Sequence, residues 1–348
     1  MEALKDIGGP AQPLLTIAGL VKHFPLKKDP LGRGGGVVRA VDGVDFEVMK
    51  GETLGVVGES GCGKSTTARL LMQLIEPTRG EVIFDGREVG SRDLPLKEFR
   101  RQVQMVFQDS YASLNPRLTI EDSVAFGPQV HGVSRRESVA RARDLLARVG
   151  LAPQRFAERY PHELSGGQRQ RVNIARALAL QPRMVILDEA VSALDKSVEA
   201  QVINLLLDLK TEFGLTYVFI SHDLNVVRYV SDRVMVMYLG QVAEIGPADA
   251  LYETPAHPYT RALLSSMPSM DPDNRTEVAA LAGDPPNPIN PPTGCRFHPR
   301  CSIAAPVCSQ VVPERIATGS QHAVSCLVHE PGSGHPMAQP QPFQRQAA

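Results

Sequence analysis

The sequence predicts an α/β fold, a parallel sheet of short buried strands layered with helices, followed by a small irregular cysteine-rich appendage at the C-terminal end. Three observations carry this. From Leu14 to about Ser266, short apolar runs alternate with helical patterns, as expected of a layered α/β domain. One run, Thr53-Leu54-Gly55-Val56-Val57, leads directly into a glycine-rich loop ending in Lys64-Ser65. Beyond Met267 the chain becomes proline-rich and then carries four of its five cysteines.

The 348 residues, 43% of them hydrophobic, suffice for one large domain and a smaller unit. We expect the main domain over residues 14–266, the appendage over 267–330 and a disordered tail over 331–348. Asp284-Pro285-Pro286-Asn287-Pro288 removes backbone donors and stops helices, so residues 271–293 read as a linker or irregular wrap. Residues 294–330 have too little apolar periodicity for a core of their own. Residues 27–36 hold charges, Pro30 and four glycines, the composition of an exposed loop joining two early strands. Charged and apolar residues interleave at helical spacing over 135–149, which predicts an amphipathic surface helix.

Charge disfavours a nucleic-acid role. A net charge of -1 provides no basic field for nucleic acid or for an anionic membrane. No apolar run reaches the ~20 residues that span a bilayer, and the first residues lack the charged-then-apolar pattern of a secretory signal. A soluble, cytoplasmic chain is the expectation.

The loop Gly58-Glu59-Ser60-Gly61-Cys62-Gly63-Lys64-Ser65-Thr66 matches the phosphate-loop pattern at every fixed position. Its glycines let backbone N–H groups turn toward phosphate oxygens, and a helix beginning near Gly63 adds its positive end. Lys64 is expected to reach the β- and γ-phosphates, Ser65 to ligate Mg²⁺ and Thr66 to bond the α-phosphate. Cys62 occupies a variable position and carries little weight as a reactive thiol. A second apolar run, Met184-Val185-Ile186-Leu187, ends in Asp188-Glu189. Strand ends of an open parallel sheet deliver polar groups to a ligand, so Asp188 is expected to hold Mg²⁺ through water and Glu189 to orient or deprotonate the attacking water. A third run, Tyr217-Val218-Phe219-Ile220, ends in Ser221-His222-Asp223 and gives His222 the same access.

Leu164-Ser165-Gly166-Gly167-Gln168 precedes a helical pattern shortly before the acidic strand. Ser165 offers a hydroxyl, and the two glycines allow close backbone approach to an anion at the helix start. At this point the chain resembles the ATP-binding cassette (ABC) family. That resemblance implies a P-loop nucleotide-binding domain with a RecA-like α/β core, an antiparallel β subdomain and a helical signature subdomain. It implies that Ser165, Gly166, Gly167 and Gln168 cover nucleotide held by a partner's phosphate loop, so that ATP closes a head-to-tail dimer. It also gives Phe24 as the aromatic stacking on adenine and Gln108 as the sensor of Mg²⁺ and the attacking water. Ser192-Ala193-Leu194-Asp195 is similar to the loop crossing the dimer seam, with His222 as the switch histidine, and residues 109–118 face the membrane partner. Ala190 stands where relatives usually carry proline, which removes no functional group.

Within the family, Pro255-Ala256-His257-Pro258-Tyr259-Thr260-Arg261 and Gly294-Cys295-Arg296-Phe297-His298-Pro299-Arg300-Cys301 resemble the oligopeptide/dipeptide importer ATPases, particularly the second of their two ATPase subunits. This implies ATP hydrolysis at the cytoplasmic face of the inner membrane. The implied partners are a second ABC ATPase, two transmembrane permease subunits and, indirectly, an extracytoplasmic solute-binding protein. Close relatives carry nickel, glutathione or other solutes. A soluble ATPase of DNA repair or translation is the competing class, but it needs a long coiled-coil insertion or two cassettes in one chain. A module that senses ATP without turnover is disfavoured by intact Lys64, Asp188, Glu189, Ser165 and His222.

The cysteines space as Cys295-x5-Cys301-x6-Cys308-x17-Cys326. Four thiolates from one irregular segment suit a metal centre in a reducing compartment. The branch resemblance implies a [4Fe-4S] cluster; structural zinc and four unligated thiols are the alternatives.

Overall fold

The computed structural model describes residues 9, 12–26, 35–267 and 283–338. Strands β1 (Pro13–Leu26) and β2 (Gly36–Met49) form a long antiparallel pair, so the expected early loop falls where the chain reverses. Residues 27–34 of that loop lie outside the described residues. Next come β3 (Thr53–Val57), α1 (Lys64–Leu71), β4 (Arg79–Phe84) and the short β5 (Arg87–Glu88). β1, β2, β4 and β5 make one antiparallel sheet in the order β2-β1-β4-β5.

A helical lobe follows α2 (Leu96–Gln102) and β6 (Val103–Val106). It comprises α3 (Ile120–Val130), α4 (Arg135–Arg148), α5 (Pro153–Phe156) and α6 (Gly166–Leu178). Thr119 caps α3 by accepting from the backbone N of Asp122, and Ser134 caps α4 by accepting from that of Glu137. The helix expected over 135–149 is α4, which buries Ala142, Leu145 and Leu146. The chain then alternates through β7 (Met184–Asp188), α7 (Lys196–Phe213), β8 (Thr216–Ile220), α8 (Leu224–Val230) and β9 (Arg233–Tyr238). β10 (Gln241–Pro247), α9 (Ala248–Glu253), α10 (Pro258–Ser265), β11 (Ile316–Gly319) and β12 (His322–Val324) complete it.

The main sheet runs β11-β12-β10-β9-β3-β8-β7-β6, parallel from β9 to β6 and antiparallel beyond. Its central strands β3, β7 and β8 are buried along their whole length, which is why they read as unbroken apolar runs rather than alternating ones. Alternate residues serve opposite faces. Val185 and Leu187 join the helices in one core, while Met184 and Ile186 join α1 and the antiparallel sheet in the other.

Two expectations for the C-terminal part need correcting. The appendage is not wholly irregular: β12 pairs with β10 at Glu244↔Val324 and Ile245↔Ala323, so the main sheet continues across the expected boundary near 266. Its apolar anchors are few, Phe297 and Val324 among them, and the sheet edge supplies the hydrogen bonds that a small core cannot. The tail expected from Pro331 is folded through residue 338, with His335 buried against the carbonyl of Ile303. Residues 339–348 and most of the proline-rich linker, 268–282, lie outside the described residues.

Candidate active site

The loop between β3 and α1 wraps a cavity of ≈ 400 Å³. Gly63 has φ 109°, and a Cβ there would lie 2.3 Å from the carbonyl oxygen of Ala40, so only glycine fits. Lys64 folds back into its own loop, donating to the carbonyls of Gly58 at 2.7 Å and Glu59 at 3.0 Å. α1 starts at Lys64 and aims its free N–H groups at the cavity. Cys62 is buried beside Lys64, and burial pushes its thiol pKa up, as expected of an inert core cysteine.

The register of β7 brings the acidic pair to this loop. Asp188 falls on the same strand face as Met184 and Ile186, the side of α1, and accepts a 3.0 Å hydrogen bond from the Ser65 hydroxyl. Burial raises the pKa of Asp188; the Ser65 bond opposes the rise and the adjacent Glu189 carboxylate adds to it. Glu189 has a left-handed backbone, φ 48°, that turns it off the strand. Its carboxylate accepts from Gln108 Nε2 at 2.9 Å and lies 3.5 Å from His222 Nδ1. Three strand ends, those of β6, β7 and β8, thus meet at one carboxylate.

Of the residues expected from sequence, Ser60, Gly61, Gly63, Lys64, Ser65, Thr66, Gln108, Glu189 and His222 line the cavity. Asp188 reaches it through Ser65. Phe24 does not line it: the ring is exposed on β1, opposite Val38, with Lys22 Nζ 5.1 Å above it. Ser165, Gly166, Gly167, Gln168 and Asp195 are also absent from the lining. Ser165 instead caps α6 in a reciprocal box, its Oγ accepting from Gln168 N at 3.3 Å while Gln168 Oε1 accepts from Ser165 N at 3.0 Å. Gly167 has a packing reason besides the expected one, since a Cβ there would meet Val198 Cγ1 at 2.5 Å. Sequence reasoning missed Val38, Ala40 and Pro288 in the cavity wall. Pro288 lies far along the chain and is tied in by Arg39 N donating to its carbonyl at 3.1 Å, a contact with no local signal.

A model of the family described as ABC transporter matches residues 41–192, and one described as Oligopeptide/dipeptide transporter, C-terminal region, matches 243–308. A probable peptide ABC transporter ATP-binding protein of Sinorhizobium fredii is 51% identical over 92% of this chain and 91% of its own length. The oligopeptide transport ATP-binding protein AppF of Bacillus subtilis is 50% identical over 91% of this chain and 97% of its own. The chain belongs to the ABC transporter ATP-binding proteins. A di/tripeptide transport ATP-binding protein of Pseudomonas aeruginosa is 49% identical over 90% of this ABC chain. Among solved structures, the dimeric post-hydrolysis state of the ATP-binding cassette MJ0796 bound to ADP and Pi superposes with TM-score 0.59 at 31% identity, covering 67% of this chain and 98% of that one. The α/β cassette fold and the ATPase class of this chain follow from these matches.

The C-terminal cysteines form a second cluster. Cys295, Cys301, Cys308 and Cys326 line one cavity of ≈ 20 Å³, room for about one water. Burial pushes the Cys295 thiol up to about 11, and the other three cysteines add to the rise. Among the described residues, no group of three or more His, Cys, Asp or Glu is arranged to hold a metal ion, so the expected cluster receives no support from the geometry.

Proposed function

We propose that this chain is the ATP-hydrolysing subunit of a peptide importer, turning over Mg-ATP in the cavity between α1 and the ends of β6, β7 and β8. The observation that carries the reading is the meeting of Lys64, Ser65, Gln108, Glu189 and His222 on one cavity, in a chain about half identical to peptide-transport ATP-binding proteins along nearly its whole length.

Lys64 leaves its loop carbonyls for the β- and γ-phosphates, and the loop amides and Thr66 hold the remaining oxygens. Ser65 and Asp188, already in contact, fit Mg²⁺: two protein oxygens are the usual share when phosphates and waters fill the other positions. Gln108 completes that set from the β6 side. Bound there, Mg²⁺ supplies neutralising charge to the phosphate oxygens. Glu189 takes a proton from water as its oxygen bonds to the γ-phosphorus and the bond to the β-bridging oxygen breaks, leaving ADP and inorganic phosphate. Gln108 and His222 orient that carboxylate and the γ-phosphate.

Ser165, Gly166, Gly167, Gln168 and Asp195, exposed or half-buried and away from the cavity, serve nucleotide held by a second cassette, whether a paralogue or another copy. Pairing is supported by the dimeric ADP-bound relative. Asn173 and Arg176 of α6 donate to the carbonyls of Ser110 and Ser113, which fastens the signature helix to the segment after Gln108. Tyr111 in that segment and Phe126 and Val130 on α3 are exposed apolar side chains, of the kind a permease subunit could cover. No described helix is long and apolar enough to cross a membrane. In this reading the chain acts peripherally, at the cytoplasmic face, with an extracytoplasmic solute-binding protein delivering the peptide. Residues 14–266 form the cassette and 267–330 the C-terminal region, and Phe24 flanks the base from outside the cavity wall.

The four C-terminal thiols are the ligand set for a [4Fe-4S] cluster in this reading. Its support is the donor chemistry alone, four cysteine thiols, since among the described residues their placement forms no metal-holding group. No step of hydrolysis passes through them. Iron and acid-labile sulfide in anaerobically purified protein test the assignment, and stoichiometric zinc alone refutes it. For the function as a whole, purification of the tagged chain from membranes is expected to recover a second cassette and two polytopic proteins; recovery of ribosomes or DNA-repair factors would overturn it.

A further inference from the structure

The C-terminal appendage touches the phosphate loop itself, at Glu59. Arg300 presents both guanidinium nitrogens to the Glu59 carboxylate, at 2.7 and 3.0 Å, with the Arg300 side chain only 5% exposed. Glu59 N donates to the Tyr259 hydroxyl at 2.9 Å. The carbonyl of the same residue accepts from Lys64 Nζ. Glu59 is therefore the node at which Tyr259 of α10 and Arg300 of the appendage meet the lysine proposed to contact phosphate.

The second side of the loop is held by the same short segment. Arg296 donates to Asp42 and to the carbonyl of Leu239, and the next residue, Gly240, donates its N–H to the Cys62 carbonyl at 2.8 Å. Between the two arginines, Phe297 packs on Tyr238 and Tyr259 with ring centroids 5.3 Å apart in each case. The segment Arg296–Arg300 thus braces both flanks of the loop from a rigid aromatic seat.

We propose that Arg300 and Tyr259 are positioning residues for the nucleotide: by holding Glu59 they fix the phosphate loop, so that the C-terminal region matched over 243–308 sets the affinity of the cassette for ATP. A bidentate guanidinium–carboxylate pair fixes direction as well as distance, which a single bond cannot do. Without it, the Glu59 carbonyl and the amides beside it are free to leave the phosphate-binding conformation. This inference rests on the nucleotide reading of the cavity.

The test is equilibrium binding of a fluorescent Mg-ATP analogue to the full-length chain. Arg300→Ala and Glu59→Gln are each expected to weaken binding about five- to ten-fold. The double variant should bind no more weakly than the poorer single one, because both changes remove one interaction. Arg300→Lys should fall between wild type and Arg300→Ala, since an ammonium cannot make the fork. Wild-type affinity in Glu59→Gln overturns the inference even if Arg300→Ala fails to fold. So do losses that multiply in the double variant, which would make Arg300 a pin for the appendage alone. A wild-type chain that binds no Mg-ATP analogue defeats the nucleotide reading and this inference with it.

Discussion

Glu189 illustrates how a single side chain was read from sequence and how much its neighbours add. An acidic pair ending an apolar strand is an ordinary turn by itself; the phosphate loop upstream makes it a candidate site, and the strand period puts Asp188 on the α1 face. Glu189→Gln is expected to lower hydrolysis by about 100-fold or more while leaving ATP binding in place, as for a lost general base; turnover near wild type would remove Glu189 from that role. Pro288 shows the opposite case, since a cavity wall supplied from more than two hundred positions downstream leaves no local pattern. Phe24 was assigned by resemblance and lies beside the cavity rather than on it. His257 was read only as part of a family motif, yet it is buried and caps α10, Nδ1 accepting from Tyr259 N at 2.9 Å. Burial lowers its pKa to about 4, against the opposing pull of Glu244. The unfolded chain takes up that proton near pH 6.5 and the folded chain only near 4, so stability is fully present above 6.5 and falls as pH drops through this window, by about 3 kcal/mol. Urea midpoints at pH 7.5 and 5 should fall further for wild type than for His257→Asn; equal falls would contradict the buried neutral histidine.

At the scale of elements, the parallel strands were legible because both faces are buried and their apolar runs are unbroken. The β11–β12 hairpin was not. Ile316-Ala317-Thr318-Gly319 has no alternation to distinguish it from a loop, and its pairing depends on the free edge of β10. The entrance of α6 was legible as chemistry but not as packing. Val198 Cγ1 leaves no space for a side chain at Gly167, and a β-branched neighbour has little freedom to yield. Gly167→Ala is expected to cost about 1–3 kcal/mol through overpacking, and an unchanged melting temperature would show that α6 and α7 are not locked together. The same packing, with Asn173 and Arg176 donating to the segment after Gln108, ties α6 to both α7 and that segment.

For the whole molecule, one chain holds the phosphate loop, the acidic strand end and the signature helix, but the signature residues do not reach the chain's own cavity. Near-neutral charge provides no basic field for nucleic acid. In the proposed cycle, two cassettes close over triphosphate and part after hydrolysis, when the shared anion is divided. A structure of the assembled transporter carrying Glu189→Gln with Mg-ATP tests this most directly. The account predicts the Ser165 hydroxyl within hydrogen-bonding reach of the γ-phosphate on the partner's phosphate loop; nucleotide bound in both cassettes with Ser165 remote from every γ-phosphate would contradict it.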